Sequence, residues 1–344
     1  VYIHDPWEMY EVDLASGASR SLFSTDLNGY WAWGDRTRFV ASDLTHAMIP
    51  LEVGDSIRTG RWFVVEGITS DVPITSEPYI ITHPTAIYIV NENGTAYPLS
   101  IDPAIQPCSM YASTPPRWVN GDTEIWFIAR KLDEDGKLIP LTYGYYSMGL
   151  DISDAGIVSI TSEPEMIPFT PIYNHQNHLD GDPTGFSGFD VSSDGSVLIY
   201  NKFDNYPDSH DMYLSRLDFG IDGSGEVVSV LETPISLSGS HGYGAVEYHV
   251  GQNAVLSSVT RIEANGSLNV TTLAEADRKT VMSGSSVWSP SGNQICYLTT
   301  RRVRNLTEFV IKVVSSDDGT EVDVIPVPVG YHNVGFSGWF PPEN

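Results

Sequence analysis

One phrase recurs, with variation, along the whole chain: an aromatic residue, a short polar turn rich in Gly, Asp or Asn, and then an apolar run. Copies begin at Trp33, Trp118, Phe189, Tyr248 and Trp288, and a truncated copy begins at Phe336. A repeat of roughly 40 to 50 residues predicts an array of similar supersecondary units that bury their faces against one another. The repeat therefore constrains the architecture of the whole chain.

Each copy has the pattern of a β-hairpin, in which a tight polar turn joins two strands. A second hairpin follows most copies. Residues 309–314, for example, form an apolar run that precedes the turn Asp317-Asp-Gly319 and a further strand pattern at 322–325. Each unit is therefore predicted to be a four-stranded antiparallel meander, and no segment has a sustained helical period.

Four-stranded units repeated around a ring form a β-propeller. The sequence predicts an all-β fold with one propeller domain over residues 1–344. Seven blades are predicted, at 335–344 together with 1–25, 29–68, 72–108, 114–169, 185–236, 241–282 and 285–328. Strands from both termini would complete the first blade and close the ring, which removes the open sheet edge. Six blades are the alternative if 72–108 is an insertion.

Composition excludes several classes of protein. A hydrophobic content of 41% is too high for a disordered chain, and no apolar run is long enough to span a bilayer. The formal charge of −26 disfavours nucleic acid as a partner, because nucleic-acid binding needs clustered Lys and Arg. The same charge is compatible with cation binding or with a salty medium.

Two copies carry a resemblance to a known repeat family. The segments Trp288-Ser-Pro-Ser-Gly-Asn-Gln-Ile-Cys-Tyr297 and Phe189-Asp-Val-Ser-Ser-Asp-Gly-Ser-Val-Leu-Ile-Tyr200 resemble the TolB-type, WD40-like (PD40) repeat. The copy at Trp33 departs from it by lacking Ser-Pro, and the copy at Tyr248 lacks the Asp. The resemblance spans nearly the whole chain and implies a propeller of a kind common in the periplasm or outside the cell. It implies no activity, because the fold hosts binding platforms and enzymes alike.

We expect the protein to be extracellular, displayed at a cell surface or periplasmic. The chain begins at Val1 rather than Met, which is consistent with removal of a signal segment. Candidate N-glycosylation sites are Asn93, Asn265, Asn269 and Asn305. Two cysteines are too few for a disulfide framework.

The histidines predict a binding face. If the strands of a blade are lettered a to d from the centre outwards, the b–c and d–a connections emerge on one face of a propeller. Six of the nine histidines map to that face: His46, His175, His178, His210, His241 and His332. Together with Asp180 and Asp182 they form the predicted His/Asp-rich face.

The densest segment of that face is Tyr173-Asn-His175-Gln176-Asn-His178-Leu-Asp180-Gly-Asp182. Its imidazoles and carboxylates are ligands suited to Zn²⁺, Mn²⁺ or Ca²⁺, or to general base chemistry. The alternative is a solvated loop, since these are ordinary loop residues. Oligogalacturonate lyases of the resembling class hold a divalent metal with His and Gln ligands, which implies a lyase alternative with His175, Gln176 and His178 as ligands. Tyr243 is a candidate acid.

Two oxygen-rich turns are further candidates for Ca²⁺. They contain Asp133 and Asp135, and Asp218 and Asp222. Neither has the full spacing of a calcium loop, and Asp-Gly is also a common hairpin turn.

We therefore predict a binding or assembly module that takes a protein or polysaccharide partner on the His/Asp-rich face. A metal-dependent uronate lyase using the same face is one alternative, so enzymatic activity stays open. A structural subunit of an extracellular fibre or envelope, self-assembled through its terminal strands, is the other.

Overall fold

The structure is a computed structural model. It describes residues 7–12, 16, 18–25, 49–50, 62–68, 75–77, 80–82, 85–91, 95–108, 116–120, 123–137, 139–172, 185–204, 211–223, 225–236, 246–257, 260–273, 286–289, 291–303 and 306–326. These residues form an all-β fold, with a 3₁₀ turn at Val250–Gln252 and no α-helix in the described part. No described helix is long and apolar enough to cross a membrane.

In chain order the strands are β1 (Trp7–Val12), β2 (Ser19–Thr25), β3 (Ile49–Pro50), β4 (Trp62–Ile68), β5 (Thr75–Glu77), β6 (Ile80–Thr82), β7 (Thr85–Asn91), β8 (Ala96–Pro98), β9 (Ile105–Pro107), β10 (Arg117–Val119), β11 (Glu124–Lys131), β12 (Gly144–Ile152), β13 (Val158–Met166), β14 (Gly185–Val191), β15 (Val197–Asp204), β16 (Asp211–Ile221), β17 (Val227–Pro234), β18 (Val246–His249), β19 (Ala254–Ser257), β20 (Thr260–Glu263), β21 (Val270–Thr272), β22 (Ser286–Trp288), β23 (Gln294–Val303), β24 (Leu306–Ser315) and β25 (Glu321–Pro326).

These strands form a series of antiparallel four-stranded sheets. Sheet I has the order β3-β4-β7-β8, sheet II β10-β11-β12-β13, sheet III β14-β15-β16-β17, sheet IV β18-β19-β20-β21 and sheet V β22-β23-β24-β25. The strand β9 adds to sheet II by pairing with the end of β11, and β1-β2 and β5-β6 form two-stranded sheets. The strands of sheets II to V lie within the units predicted at 114–169, 185–236, 241–282 and 285–328.

Sheet I corrects one predicted boundary. The sequence placed 29–68 and 72–108 in separate units, but β4 pairs with β7 along its whole length, from Trp62↔Asn91 to Ile68↔Thr85. The hairpin β5-β6 between them pairs with itself. Residues 49–98 therefore supply one four-stranded sheet instead of parts of two, and the count of seven, which depended on that boundary, is not supported. The residues predicted to close the ring at 335–344 lie outside the described residues.

The five sheets stack face to face, and this stacking explains the unbroken apolar runs of the repeat. In β11, Ile125 and Phe127 pack with sheet I, whereas Trp126 and Ile128 pack with sheet III. Successive side chains of a strand point to opposite faces, so a strand buried on both faces reads as continuously apolar. Each such fully buried side chain contributes about 1.5–3 kcal/mol of transfer free energy.

The same arrangement continues through the later sheets. Val197 and Ile199 of β15 pack with Val255 and Ile262 of sheet IV. Leu256, also of sheet IV, packs with residues of sheet V. The first strands of successive sheets lie beside one another, β10 by β14, β14 by β18, and β18 by β22. The sheets therefore fan out from neighbouring first strands.

Connections of two kinds lie at opposite ends of the stacked strands. Tight turns join the first to the second strand and the third to the fourth strand of sheets II to V, at 120–123, 153–157, 192–196, 222–226, 250–253, 264–269, 289–293 and 316–320. We call this the tight-turn end; neighbouring turns touch there, as where Asn120 N donates to Ser193 O at 2.7 Å. The remaining connections are 132–143, 167–184, 205–210, 235–245, 258–259, 273–285 and 304–305, and they define the long-connection end.

The structure also shifts the alignment of the repeat phrase. Ser192 N bonds Val197 O, and Ser289 N bonds Gln294 O, so the two turns are equivalent. The residue equivalent to Trp288 is therefore Val191, not the aromatic Phe189 that the sequence aligned with it. The turn fixes the register, whereas the aromatic position varies by two residues.

Candidate binding face

The whole of the predicted His/Asp-rich face lies outside the described residues, and so do the candidates Gln176 and Tyr243. These residues are His46, His175, Gln176, His178, Asp180, Asp182, His210, His241, Tyr243 and His332. In chain order, His175 to Asp182 lie between β13 and β14, His210 lies between β15 and β16, and His241 and Tyr243 lie between β17 and β18. The described strand ends that bound these three connections lie at the long-connection end. The roles of these residues stay predictions.

The turn that contains Asp133 and Asp135 closes itself with backbone bonds. Asp133 Oδ1 accepts hydrogen bonds from the backbone N–H of Asp135 at 3.0 Å and of Lys137 at 2.8 Å. Gly136 has a φ of 74°, the left-handed conformation that such a turn requires. One oxygen of Asp133 is therefore occupied in shaping the turn, which is the hairpin alternative weighed above.

Asp218 and Asp222 serve different contacts and do not converge. Arg216 Nη2 lies 2.6 Å from Asp218 Oδ1, while Asp222 Oδ1 accepts the Glu226 N–H at 3.1 Å in a turn like that of Asp133. Within the described ranges, no group of three His, Cys, Asp or Glu side chains has metal-binding geometry. The calcium hypothesis stays a prediction with no described cluster to support it.

A polar cluster lies on sheet III toward the long-connection end. Glu232 Oε1 accepts hydrogen bonds from Tyr200 Oη at 2.7 Å, Ser215 Oγ at 2.8 Å and Lys202 Nζ at 3.1 Å. The Lys202 ammonium also lies 5.7 Å from the centre of the Tyr213 ring, a cation–π contact. Lys202 pairs in register with Phe186, which follows His178 by eight positions in the sequence.

Hydrogen bonds set the charge states of this cluster. Burial alone would raise the pKa of Glu232, but the bonds from Tyr200, Ser215 and Lys202 outweigh it and lower that pKa. Burial and the bond to Glu232 raise the pKa of Tyr200, so its hydroxyl stays protonated and donates. The pKa of Lys202 is raised: burial opposes this, but the contacts with Glu232 and Tyr213 prevail. Lys202 is thus held as a cation between Glu232 and the ring of Tyr213.

Charged residues of the first strands tie neighbouring sheets together, and sequence analysis missed them. Arg117 Nε lies 3.0 Å from Asp190 Oδ1, and Asp190 Oδ2 accepts the backbone N–H of Tyr248 at 2.5 Å. Glu247 Oε2 accepts the backbone N–H of Trp288 at 3.2 Å in the same way. Each carboxylate thereby satisfies an N–H on the free edge of the next first strand, which would otherwise lack a partner. Burial raises the pKa of Asp190, against the opposing effects of Arg117 and the two backbone N–H groups.

A second set of contacts repeats between sheets III, IV and V. Arg216 lies over the ring of Tyr248 and donates to Ala264 O at 3.1 Å. Arg261 lies over the ring of Trp288 and donates to Ser316 O at 3.1 Å. Both arginines precede an acidic residue by two positions and pair with it. The spacing Arg-x-Asp/Glu on the third strand, followed by an aromatic residue in the next unit, is the signal that could have found them.

A buried polar cluster between sheets I and II includes a cysteine. Thr85 Oγ1 lies 2.9 Å from Glu66 Oε1, and Gln106 Nε2 donates to Pro107 O at 2.9 Å. Burial raises the pKa of the Cys108 thiol to about 12; Arg130 lowers it and Glu66 raises it further. The thiol is therefore protonated at neutral pH and is a poor nucleophile. Cys296 is likewise buried and free.

A cleft of about 800 Å³ opens at the long-connection end between sheets I and II. Its floor is aliphatic: Ile101, Ile105 and Met166 are half-buried against the core shared by the two sheets. Its rim is charged and exposed, with Lys131, Glu163, Glu165 and Asp102 among the lining residues. The volume is in the range of ligand-binding clefts. The cleft has no signal in the sequence, because its walls come from three separate segments.

No protein-family model matches the chain, and no curated protein matches it. Solved structures show a distant likeness. The ulvan lyase of polysaccharide lyase family PL25 is 10% identical, with 92% of this chain and 76% of that chain covered and a TM-score of 0.41. Prolyl oligopeptidase B from Galerina marginata is 12% identical, with 77% of this chain and 33% of that chain covered and a TM-score of 0.40. The chain thus spans one third of the length of that peptidase. With TM-scores this low, these likenesses carry no argument about activity.

Proposed function

We propose that this protein is a β-propeller that binds a partner through its long-connection end. One observation carries the proposal: in sheets II to V the tight turns lie at one end, and the strand ends that bound the connections 132–143, 167–184, 235–245 and 273–285 lie at the other. Long loops on a rigid scaffold are where binding residues concentrate. Face-to-face stacking of four-stranded sheets around neighbouring first strands supports the propeller, with six blades favoured over seven by the pairing of β4 with β7.

The test is a binding panel of immobilised polysaccharides and peptides, probed with the native protein and two double variants. The first, His175→Ala/His178→Ala, alters the long-connection end. The second, Asp154→Asn/Glu226→Gln, alters exposed residues of the tight-turn end. We expect the histidine variant to lose a ligand that the tight-turn variant keeps. Equal binding by all three proteins, or loss confined to the tight-turn variant, contradicts the proposal.

A uronate lyase is the second candidate, and the position of Lys202 favours it. Lys202 pairs with Phe186, just after the segment that contains His175, Gln176 and His178. In such a reaction a cation or metal binds the uronate carboxylate and acidifies the neighbouring C–H. A base removes that proton, a C=C bond forms, and the C–O bond to the leaving sugar breaks as an acid protonates its oxygen. Lys202 would bind the carboxylate, and a histidine would be the base.

The lyase is tested by the ultraviolet absorbance of unsaturated uronate products, with polyuronate substrates and added Ca²⁺, Mn²⁺ or Zn²⁺. Turnover lost in Lys202→Met and in His175→Ala/His178→Ala, but kept in Asp154→Asn, is the expected result. No product from any uronate in the presence of all three metals removes this candidate. A location outside the cytoplasm belongs to the same proposal, and the exposure of Asn265 and Asn269 supports it.

A further inference from the structure

The geometry points to a peptide-docking groove: the cleft between sheets I and II binds an extended, lysine- or arginine-rich segment of a partner protein, which lies along the outer edge of β13. This inference rests on the proposed function, since the cleft is part of the long-connection end. It names the class of partner that this end would take.

The floor and the rim of the cleft suit different parts of such a segment. Ile101, Ile105 and Met166 offer an aliphatic surface that is half-buried against the core, so aliphatic side chains of a ligand would complete their burial. No aromatic side chain is among the described lining residues, so these residues offer no platform on which a sugar ring would stack. An aliphatic floor favours a peptide over a saccharide.

The charge of the rim selects a cationic partner. Glu163 and Glu165 are exposed and make no hydrogen bond or ion pair with any other described residue. Among the described lining residues, one cation, Lys131, stands against the carboxylates of Asp102, Glu163 and Glu165, and the whole chain has a formal charge of −26. A basic segment is therefore attracted from a distance and paired at the rim, whereas an acidic one is repelled.

The backbone of β13 supplies the third element. β13 (Val158–Met166) pairs with β12 on one side and with no described strand on the other. An extended peptide adds to such an edge through main-chain hydrogen bonds, and its alternate side chains then point into the neighbouring cleft. Pro164 has no N–H, which is tolerated on an edge strand. The last residues of β13, from Glu163 to Met166, line the cleft, so edge and cleft are continuous.

The experiment uses the whole chain and a synthetic peptide in which lysine alternates with isoleucine or valine, with binding followed by fluorescence anisotropy. The counter-peptide carries glutamate in place of lysine. We expect saturable binding of the lysine peptide only. Glu163→Gln/Glu165→Gln should weaken that binding by about fivefold, as expected for the loss of two exposed charge pairs. Added salt should weaken it too.

Asp154→Asn/Glu226→Gln is the matched control, because it makes the same change in net charge at the tight-turn end. If this control keeps its affinity for the lysine peptide, the groove is supported. If both variants lose affinity equally, net charge alone attracts the peptide, and the groove proposal is overturned. Hydrogen exchange gives an independent readout, in which the peptide should slow exchange of the β13 amides. Absent binding, binding of the glutamate peptide, or unchanged exchange in β13 also overturns it. If the groove fails while the histidine variant still loses a panel ligand, the proposed function survives without it.

Discussion

Arg117 Nε lies 3.0 Å from Asp190 Oδ1, so an ion pair joins the first strands of sheets II and III. The N–H is not aligned with the carboxylate, and the contact is electrostatic rather than a hydrogen bond. Both side chains are largely buried, at 15% and 9% exposure. The same arginine donates through Nη2 to Val246 O of sheet IV at 3.3 Å, so two residues bridge three successive sheets.

We expect Asp190→Ala to lower the free energy of unfolding by about 3 kcal/mol, because it leaves the buried Arg117 charge without its partner. Urea denaturation measures this. The exposed pair Lys312–Glu321, with nitrogen and oxygen 2.7 Å apart, is the control, and Glu321→Ala should cost less than about 1 kcal/mol. A double-mutant cycle on Arg117 and Asp190 should give a coupling above about 1 kcal/mol. Strict additivity would show that the pair does not hold the sheets together.

Gly319 and Gly136 form a matched pair for a test of close approach. Both have a φ above +70°, but a Cβ at Gly136 would meet nothing within 4 Å, while one at Gly319 would overlap the backbone carbonyl of Leu273, which follows β21 of sheet IV. Gly136→Ala should therefore cost about 1–2 kcal/mol, the penalty of the left-handed backbone alone. Gly319→Ala should cost at least about 1 kcal/mol more through overpacking. Equal losses in thermal unfolding would refute the contact between sheets IV and V.

Glu232 should make stability depend on pH in the acid range. In the folded protein the pKa of Glu232 lies below 4.5, the value for a solvated glutamate side chain. The ionised carboxylate therefore stabilises the folded state at neutral pH. This stabilisation is lost as the pH falls from about 4.5 through the lower pKa of Glu232 in the folded state. Glu232→Gln lacks it, and so the variant should be less stable at neutral pH and converge with the native protein in acid. A stability difference that stays constant with pH would contradict this origin.

Metal content tests the segment between β13 and β14. If His175 and His178 are ligands, the native protein dialysed without chelator should hold a stoichiometric amount of Zn, Mn or Ca. The ion should be lost from His175→Ala/His178→Ala, as measured by mass spectrometry. An Asp133→Asn variant distinguishes this site from the candidate Ca²⁺ turn that contains Asp133 and Asp135. Metal that persists in the histidine variant and disappears from Asp133→Asn would move the site to that turn.

The sequons offer a test of location. Asn265 and Asn269 are exposed, and Asn265 Oδ1 accepts the backbone N–H of Ser267, its own sequon residue, at 2.9 Å. We expect protein purified from its native source to carry glycans at these asparagines, detected as a mass decrease after enzymatic deglycosylation. Unmodified Asn265 and Asn269 would remove the support that the sequons lend to an extracellular location.

Turn chemistry made several elements predictable. The turns at 192–196 and 289–293 formed where Ser and Gly, with Asp in the first turn and Asn in the second, predicted them, because Ser side chains close such turns through local hydrogen bonds and glycine adopts the left-handed conformation. The boundary between 68 and 72 was not predictable in the same way. It depends on which strand pairs with β4, and β5-β6 and β7 both have strand-like sequences.

The candidate sites show the same difference between features that local sequence predicts and features that depend on distant segments. The sequence placed His175 and His210 in connections of one end, because the order of strands in a meander determines at which end each connection emerges. The cleft at Ile101, Met166 and Glu163 was missed, since its walls are distant in sequence and have no shared spacing. The contact of Asp190 with Tyr248 was missed for the same reason.

By itself, the sequence determined the all-β class, the four-stranded unit and the tight turns, since these depend on residues close together in the chain. Only the tertiary structure decided that residues 49–98 form one sheet, that Val191 rather than Phe189 is equivalent to Trp288, and that Arg117, Asp190 and Tyr248 meet. Those outcomes depend on which apolar faces stack and which strand edges lie side by side, and both are contacts between residues far apart in the chain.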